Sequence, residues 1–167
     1  ASSCYLIRYG HAGTTALASC ESSRLLNRGA EVVVQTGHGT QLADVMESVS
    51  RTGMPEDVNP ETVILREATA ADLDRQEEFD RRAEDSFLDW QTRIAEWKVD
   101  VELMDLEWTL DGERLLIYVL NERGPECTKL ALMAAAKGQG IVEVVPLSAT
   151  GISKPQSGGC GSGGCRH

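Results

Sequence analysis

Two cysteines and one histidine near the C-terminal end are the side chains best suited to metal chemistry. Cys160, Cys165 and His167 place two thiols and one imidazole within eight residues, and glycine separates most of them. Glycine lets the backbone fold around an ion at dihedral angles that other residues resist. Thiolates and imidazoles hold structural zinc, and thiolates hold iron–sulfur clusters. The sequence therefore predicts Cys160, Cys165 and His167 as metal ligands.

These three residues cannot complete a metal site alone. A structural zinc ion takes four nitrogen or sulfur ligands, and an iron–sulfur cluster usually takes four thiolates. Another chain, or a free cysteine such as Cys20, must supply the rest. Two interpretations stay open, a metal site shared with a partner chain and a glycine-rich end without metal. The odd number of cysteines, five, argues against a disulfide framework, and we interpret Cys127 as a small core residue.

Four polar residues alternate along a short segment, namely Asp105, Glu107, Thr109 and Asp111. An extended strand would place all four side chains on one face of a sheet. Paired carboxylates serve acid–base catalysis only where burial or mutual repulsion separates their pKa values. Because the sequence reveals no pocket around them, we interpret this segment as a solvent-exposed face of a sheet.

Two further histidines, His11 and His38, flank glycine turns. Neither is accompanied by a Ser-His-Asp set, a phosphate-binding loop or a zinc-protease HExxH motif. The sequence therefore predicts a protein that is not an enzyme.

The first 66 residues carry β-strand signals and predict a small β-rich sheet or partial barrel. An apolar run over residues 4–9 stops at a glycine, and a β-branched run over residues 31–36 is bounded by glycines on both sides. Residues 41–50 and 63–66 are further strand candidates. A linker with two prolines is predicted over residues 51–60.

The next segment, residues 67–152, predicts an α-β-β-α-β unit, so the fold class is α+β. Thr69 and Asp72 have the spacing of a helix capping box. Apolar residues then recur every three or four positions and predict one long, core-facing helix over about residues 70–97. The apolar positions are Phe79, Ala83, Phe87, Trp90, Ile94 and Trp97. An Asp-Gly pair at 111–112 predicts a hairpin. Gly124-Pro125 indicates the start of a second helix. Residues 141–146 are predicted to form a last, parallel strand. Residues 153–167 form a Gly/Cys-rich flexible tail.

Charge is concentrated in one part of the chain. The formal net charge is −10, and residues 67–107 hold 5 basic and 14 acidic side chains, a net of −9. An acidic protein does not suit binding to a phosphate backbone, so nucleic acid is not expected as a direct, strong ligand. No apolar run approaches the length of a membrane span, and the first residues show no secretory leader. The sequence therefore predicts a cytoplasmic protein without a membrane span.

The hairpin over residues 101–118 resembles that of the YaaT/RicT family, bacterial proteins with the polymerase-suppressor-type C-terminal domain. Residues 66–73 (REATAADL) are similar to the family's R-x-A-T-x-x-D-L segment, and residues 32–39 (VVVQTGHG) to its VVVET-x-x-G segment. The tail, with Gly159-Cys160-Gly161 and Cys165, resembles its GxCGRPLCC element. The hairpin positions that match the family are Asp105, Glu107, Thr109, Asp111, Gly112 and Tyr118.

The resemblance implies a non-catalytic adaptor. Proteins of this family form a complex with two small subunits whose cysteines hold iron–sulfur clusters, and the complex associates with the endoribonuclease RNase Y in mRNA processing. The cofactor implied here is an iron–sulfur cluster shared with partner chains, or zinc. Arg166 stands where the family has a second adjacent cysteine, and His167 would replace the missing thiolate.

Two alternatives remain. The order of helix, hairpin, helix and strand is loosely like that of small αβ domains that bind RNA, so the second interpretation is an RNA-binding or ribosome-associated module without metal. Its candidate basic residues are Arg114, Arg123, Lys129 and Lys137, but no GxxG clamp or stacked aromatic pair accompanies them. In the third interpretation the tail is an independent zinc knuckle.

Overall fold

The computed structural model describes residues 3–50, 52, 60–120, 124–148 and 151–152. Within these ranges the chain forms nine strands and two helices. In chain order they are β1 Ser3–Tyr9, β2 Thr14–Cys20, β3 Glu31–Thr36, β4 Gly39–Val49, β5 Thr62–Glu67, α1 Ala70–Glu96, β6 Glu102–Trp108, β7 Leu115–Leu120, α2 Gly124–Ala136, β8 Val142–Ser148 and β9 Gly151–Ile152.

The first five strands close into a barrel in the order β1-β2-β5-β3-β4. Neighbouring strands are antiparallel except β2 and β5, which pair in parallel over two residue pairs. Apolar side chains fill the interior: Tyr5, Ile7, Ala18, Cys20, Val32, Val34, Ala43, Val45 and Ile64. The β-branched run of β3 suits these pleated, buried positions.

The second sheet has the order β6-β7-β8-β9, and β7 and β8 are parallel. One of its faces packs against the two helices in a continuous core, whose sheet residues include Leu103, Leu106, Leu115, Ile117 and Val119. Leu116, Tyr118 and Val145 form a smaller cluster. Because side chains alternate along a strand, the residues of this cluster and Glu107 lie on the opposite face.

The start of α1 is fixed by a complete capping box. The Thr69 hydroxyl accepts from the Asp72 N–H, and the Asp72 carboxylate accepts from the Thr69 N–H at 2.8 Å. The Arg66 guanidinium at the end of β5 donates to both carboxylate oxygens of Asp72. Barrel and helix are thus tied together at the point where the chain passes between them.

The predicted fold class is confirmed. The barrel is closed rather than partial, the long helix and the α-β-β-α-β order are present, and the apolar stripe of α1 lies in the core. Strand β2, with the buried Cys20, was not predicted, because its residues include few strong strand formers. The division into residues 1–66, 67–152 and 153–167 stays a prediction.

Two predicted segments lie largely or wholly outside the described residues, the linker over 51–60 and the tail over 153–167. In the part of the chain that the structure describes, neither helix combines the length and apolarity that a membrane crossing requires.

Candidate functional site

A buried carboxylate joins the barrel to the second sheet. Glu107 on β6 is only 2% exposed. Its Oε1 accepts from the backbone N–H of His11 at 2.7 Å and from the Tyr118 hydroxyl at 2.8 Å. Its Oε2 accepts from Nε2 of Gln41 at 2.8 Å. Three donors, from the β1–β2 turn, β4 and β7, therefore satisfy one carboxylate that is costly to bury unpaired.

The barrel side of this junction is itself ordered by hydrogen bonds. Gln41 is 1% exposed, and its Oε1 accepts from the Thr36 hydroxyl at 2.7 Å. The Thr36 hydroxyl also accepts from the His38 N–H at 3.1 Å. These contacts fix the orientation of the Gln41 amide, so its N–H group points at Glu107. Gly10, with φ of +72°, brings the backbone close, since a Cβ there would lie 3.0 Å from Gln41 Nε2.

The hairpin turn that follows β6 makes the second set of contacts. Thr109 is fully buried, and its hydroxyl donates to the Asp111 carboxylate at 2.6 Å. Across the junction, the Leu110 N–H donates to the Thr40 carbonyl at 2.8 Å and the Asp111 N–H donates to the Thr40 hydroxyl at 3.2 Å. The turn is therefore bonded to the start of β4.

Glycine is required where this turn meets α1. Gly112 has φ of +72°, and a Cβ there would lie 2.8 Å from the Phe79 ring. A side chain at this position would be strained and would also displace the ring.

His11 bridges helix and sheet with its ring. Its Nδ1 lies 2.8 Å from Asp105 Oδ2 on β6, and its Nε2 lies 2.8 Å from Asp80 Oδ1 on α1. Two carboxylates that each accept from one ring nitrogen require both nitrogens to be donors, as in the imidazolium ion. The geometry therefore indicates a protonated His11 that links the barrel loop to both other layers.

The electrostatics of His11 agree with this geometry. Burial lowers its pKa and is the largest single effect. The hydrogen bond and charge of Asp105, the charge of Glu107 and the hydrogen bond of Asp80 act together in the opposite direction. The pKa of the imidazole is therefore raised from 6.5 to about 9. Burial and the Glu107 charge also raise the pKa of Tyr118, so its hydroxyl keeps its proton and donates.

The His11 bridge predicts a pH dependence of stability. Because the folded-state pKa is raised, the stabilisation is fully present below pH 6.5 and is lost as pH rises through about 9. In the wild type, the free energy of unfolding should fall by about 1–2 kcal/mol over this pH range, with screening of the half-exposed aspartates included. We expect the His11→Gln variant to lack this fall. Urea unfolding at a series of pH values measures it.

The control for this prediction is His38→Gln, which removes a different histidine and should retain the loss between pH 6.5 and about 9. A wild-type stability that changes with pH in the same way as that of His11→Gln would contradict the prediction.

A third contact spans the junction at the edge of β8. His38 Nδ1 lies 2.7 Å from Glu143 Oε1, and Arg114 Nη1 lies 3.5 Å from Glu143 Oε2. Arg114 also donates to the His38 carbonyl at 3.3 Å. One of the four basic residues considered for RNA binding is thus engaged within the fold.

The interpretation of residues 105–111 as a solvent-exposed sheet face is wrong for its centre. Glu107 and Thr109 are 2% and 0% exposed, because the barrel covers this face of the sheet. Asp105 and Asp111 keep more solvent contact. Local patterns in the sequence assign no role to His11 or His38 and do not single out Gln41; the side-chain partners of these residues across the junction lie 66 to 105 positions away. No local spacing could have indicated those partners.

The predicted metal ligands Cys160, Cys165 and His167 lie outside the described residues. Of the other cysteines, Cys4, Cys20 and Cys127 are free and buried. Cys127 lies in the core, as predicted, and burial and the charge of Glu126 raise the pKa of its thiol. Among the described residues no group of three or more His, Cys, Asp or Glu side chains is arranged to hold a metal ion.

The contacts described above hold the barrel, α1 and the hairpin in fixed positions relative to one another. The polar hairpin positions that resemble the YaaT/RicT pattern have hydrogen-bond partners, mostly within this contact region between the barrel, α1 and the hairpin. These positions are Asp105, Glu107, Thr109, Asp111 and Tyr118. Their polar atoms serve to hold the barrel, α1 and the hairpin in one arrangement.

One family model matches the part of the chain that contains α1 and the hairpin. Residues 62–124 match the family model of the PSP1 C-terminal conserved region. The match begins at β5, which is a strand of the barrel, and ends at the start of α2. No curated protein and no solved structure matches the chain. Over residues 62–124 the chain therefore matches the PSP1 C-terminal conserved region, a domain that the YaaT/RicT proteins also carry.

Proposed function

We propose that the protein is a non-catalytic adaptor that docks other protein subunits. The observation that carries this proposal is the junction itself. The polar residues of the family motif bind one another, and the buried carboxylate among them, Glu107, accepts from three donors. A carboxylate whose oxygens are so engaged is suited to fixing the relative position of two sheets. It is poorly placed to exchange protons with a substrate.

The surface supports an adaptor role. Large apolar side chains are exposed on different elements, with Leu88 on α1 72% exposed, Leu132 on α2 66% and Ile141 before β8 63%. Around Leu88 the surface of α1 is strongly acidic. In an interface, these apolar side chains would supply the central contacts and the acidic residues the polar rim.

The proposed adaptor shares a metal site with its partners through Cys160, Cys165 and His167. Cys20, the internal candidate for a further ligand, is 4% exposed within the barrel core and does not suit that role. The missing ligands would therefore come from partner chains, as in the iron–sulfur complexes of the YaaT/RicT proteins. We further propose that the protein acts in the cytoplasm and that, like the YaaT/RicT proteins, it takes part in mRNA processing with RNase Y.

Anaerobic co-purification tests the proposal. The tagged chain is expressed with the two small partner subunits of a YaaT/RicT complex and with RNase Y, and the recovered proteins, iron, zinc and visible absorption are measured. We expect recovery of the partners together with metal. Cys160→Ser with Cys165→Ser should lose the metal, whereas Ser162→Ala in the same segment should keep it.

The outcomes separate the parts of the proposal. Failure of the wild-type chain to recover any partner would contradict the adaptor function. Recovery of partners and metal that is unchanged by the double cysteine substitution would remove the tail from the site and leave the adaptor function in place.

A further inference from the structure

A groove between α1 and β6 combines an apolar floor with an acidic rim. Its volume is about 330 Å³. Ala83 and Leu106 form the buried floor, with exposures of 3% and 1%, and Phe87 lies beside them. The remaining lining residues are polar or charged: His11, Asp80, Glu84 and Asp105. The helix contributes residues at steps of three and four, so they share one face.

The charges in this groove are only partly compensated. His11 contacts Asp80 and Asp105, so one positive ring faces two carboxylates. The side chains of these aspartates stay 45% and 49% exposed. The Glu84 side chain forms no ion pair or hydrogen bond with another residue in the described part of the chain. Two negative charges therefore remain in excess beside an apolar floor.

Three of the four arginines of the helix lie on aromatic rings, and the fourth, Arg81, neither lines the groove nor forms an ion pair with another described residue. Arg75 and Arg82 lie over the Phe79 ring, each 5.5 Å from its centroid, and Arg93 lies 4.8 Å from the centroid of Trp90. In these cation–π contacts the positive guanidinium groups interact with the faces of aromatic rings. None of these three arginines lines the groove.

We propose that this groove binds a lysine or arginine on an amphipathic segment of a protein partner. The aliphatic part of a long basic side chain suits the floor at Phe87 and Leu106, and its charged end suits Glu84 and the exposed part of the Asp80 carboxylate. Leu88, one turn after Glu84, gives apolar side chains of the same segment a contact. The inference rests on the proposed adaptor function and names the chemistry of one partner.

A defined peptide tests the groove. The probe is a fluorescein-labelled amphipathic helical peptide with arginines on one face and leucines on the other, titrated with the full chain at low salt and followed by anisotropy. We expect Glu84→Gln to weaken binding about fivefold. The matched control is Glu78→Gln, which makes the same change on the same helix away from the groove and should alter Kd by less than about twofold.

Amide chemical shifts locate the peptide. We expect changes centred on Ala83, Phe87 and Leu106. Equal weakening by Glu84→Gln and Glu78→Gln, shifts spread over the whole helix, or no binding would overturn the proposal. Self-association of the wild-type chain that Glu84→Gln abolishes, measured by light scattering, would overturn it in favour of a second copy as the occupant.

Co-purification distinguishes this inference from the proposed function. Glu84→Gln should reduce the recovery of a partner, and Glu78→Gln should not. If the wild-type chain and Glu84→Gln recover the same partners equally, the groove proposal fails and the adaptor function stands. If the wild-type chain recovers none, the adaptor function and the inference resting on it both fail.

Discussion

Replacement of Glu107 by alanine is expected to lower the free energy of unfolding by about 3–5 kcal/mol. The substitution removes the acceptor of the His11 N–H, the Gln41 amide and the Tyr118 hydroxyl. It also leaves a void at a site that is 2% exposed. Urea unfolding measures the change, and tryptophan fluorescence reports on it because Trp90 and Trp108 lie on α1 and β6.

The control is Glu102→Ala, which removes an exposed carboxylate from the same strand. We expect it to change stability by less than about 0.5 kcal/mol. Similar losses from the two variants would show that the three hydrogen bonds at Glu107 do not stabilise the junction.

Replacement of Asp72 by alanine is expected to cost about 2–3 kcal/mol. The side chain caps α1 and binds Arg66 through both oxygens, so its loss affects the helix start and the end of β5 together. The Arg66 hydrogen bonds are the main cause of a lowered pKa at Asp72, outweighing burial, and the Thr69 contacts add to it. Thermal unfolding followed by circular dichroism measures the cost.

The pH dependence gives this prediction a second readout. Because the folded-state pKa is lowered, the stabilisation is present above the ordinary value of 3.8 and is lost as pH falls below it. The difference between wild type and Asp72→Ala should therefore shrink in acid. Asp74→Ala, an exposed acid in the same turn, should cost less than about 0.5 kcal/mol. A difference that persists unchanged in acid would argue against the Arg66–Asp72 pair.

The elements of the fold could largely be predicted from local signals. The spacing of Thr69 and Asp72 predicts the start of α1, and the Asp-Gly pair at 111–112 predicts the hairpin. Closure of the barrel could not be predicted, because it depends on pairing between β2 and β5, over forty positions apart in the chain. Weak strand signals in β2 gave no indication of that pairing.

Only some residues of the candidate site could be recognised from the sequence. The resemblance marked Glu107 and Thr109 as distinctive, but alternation along a strand assigns residues to a face without showing what covers that face. The barrel covers this one, so residues expected in solvent are buried. His11 could not be linked to its partners from sequence, since Asp80 and Asp105 come together only when α1 packs on β6 beside the barrel.

The central claim is that Glu107 couples the barrel to the second sheet. Hydrogen–deuterium exchange of the wild type and Glu107→Gln tests it most directly, because the substitution keeps the size of the side chain and removes one acceptor oxygen. The account predicts faster exchange in β6 and β7 and also in the barrel, over residues 9–14 and 36–41. Faster exchange confined to residues 102–120, with the barrel unchanged, would contradict it.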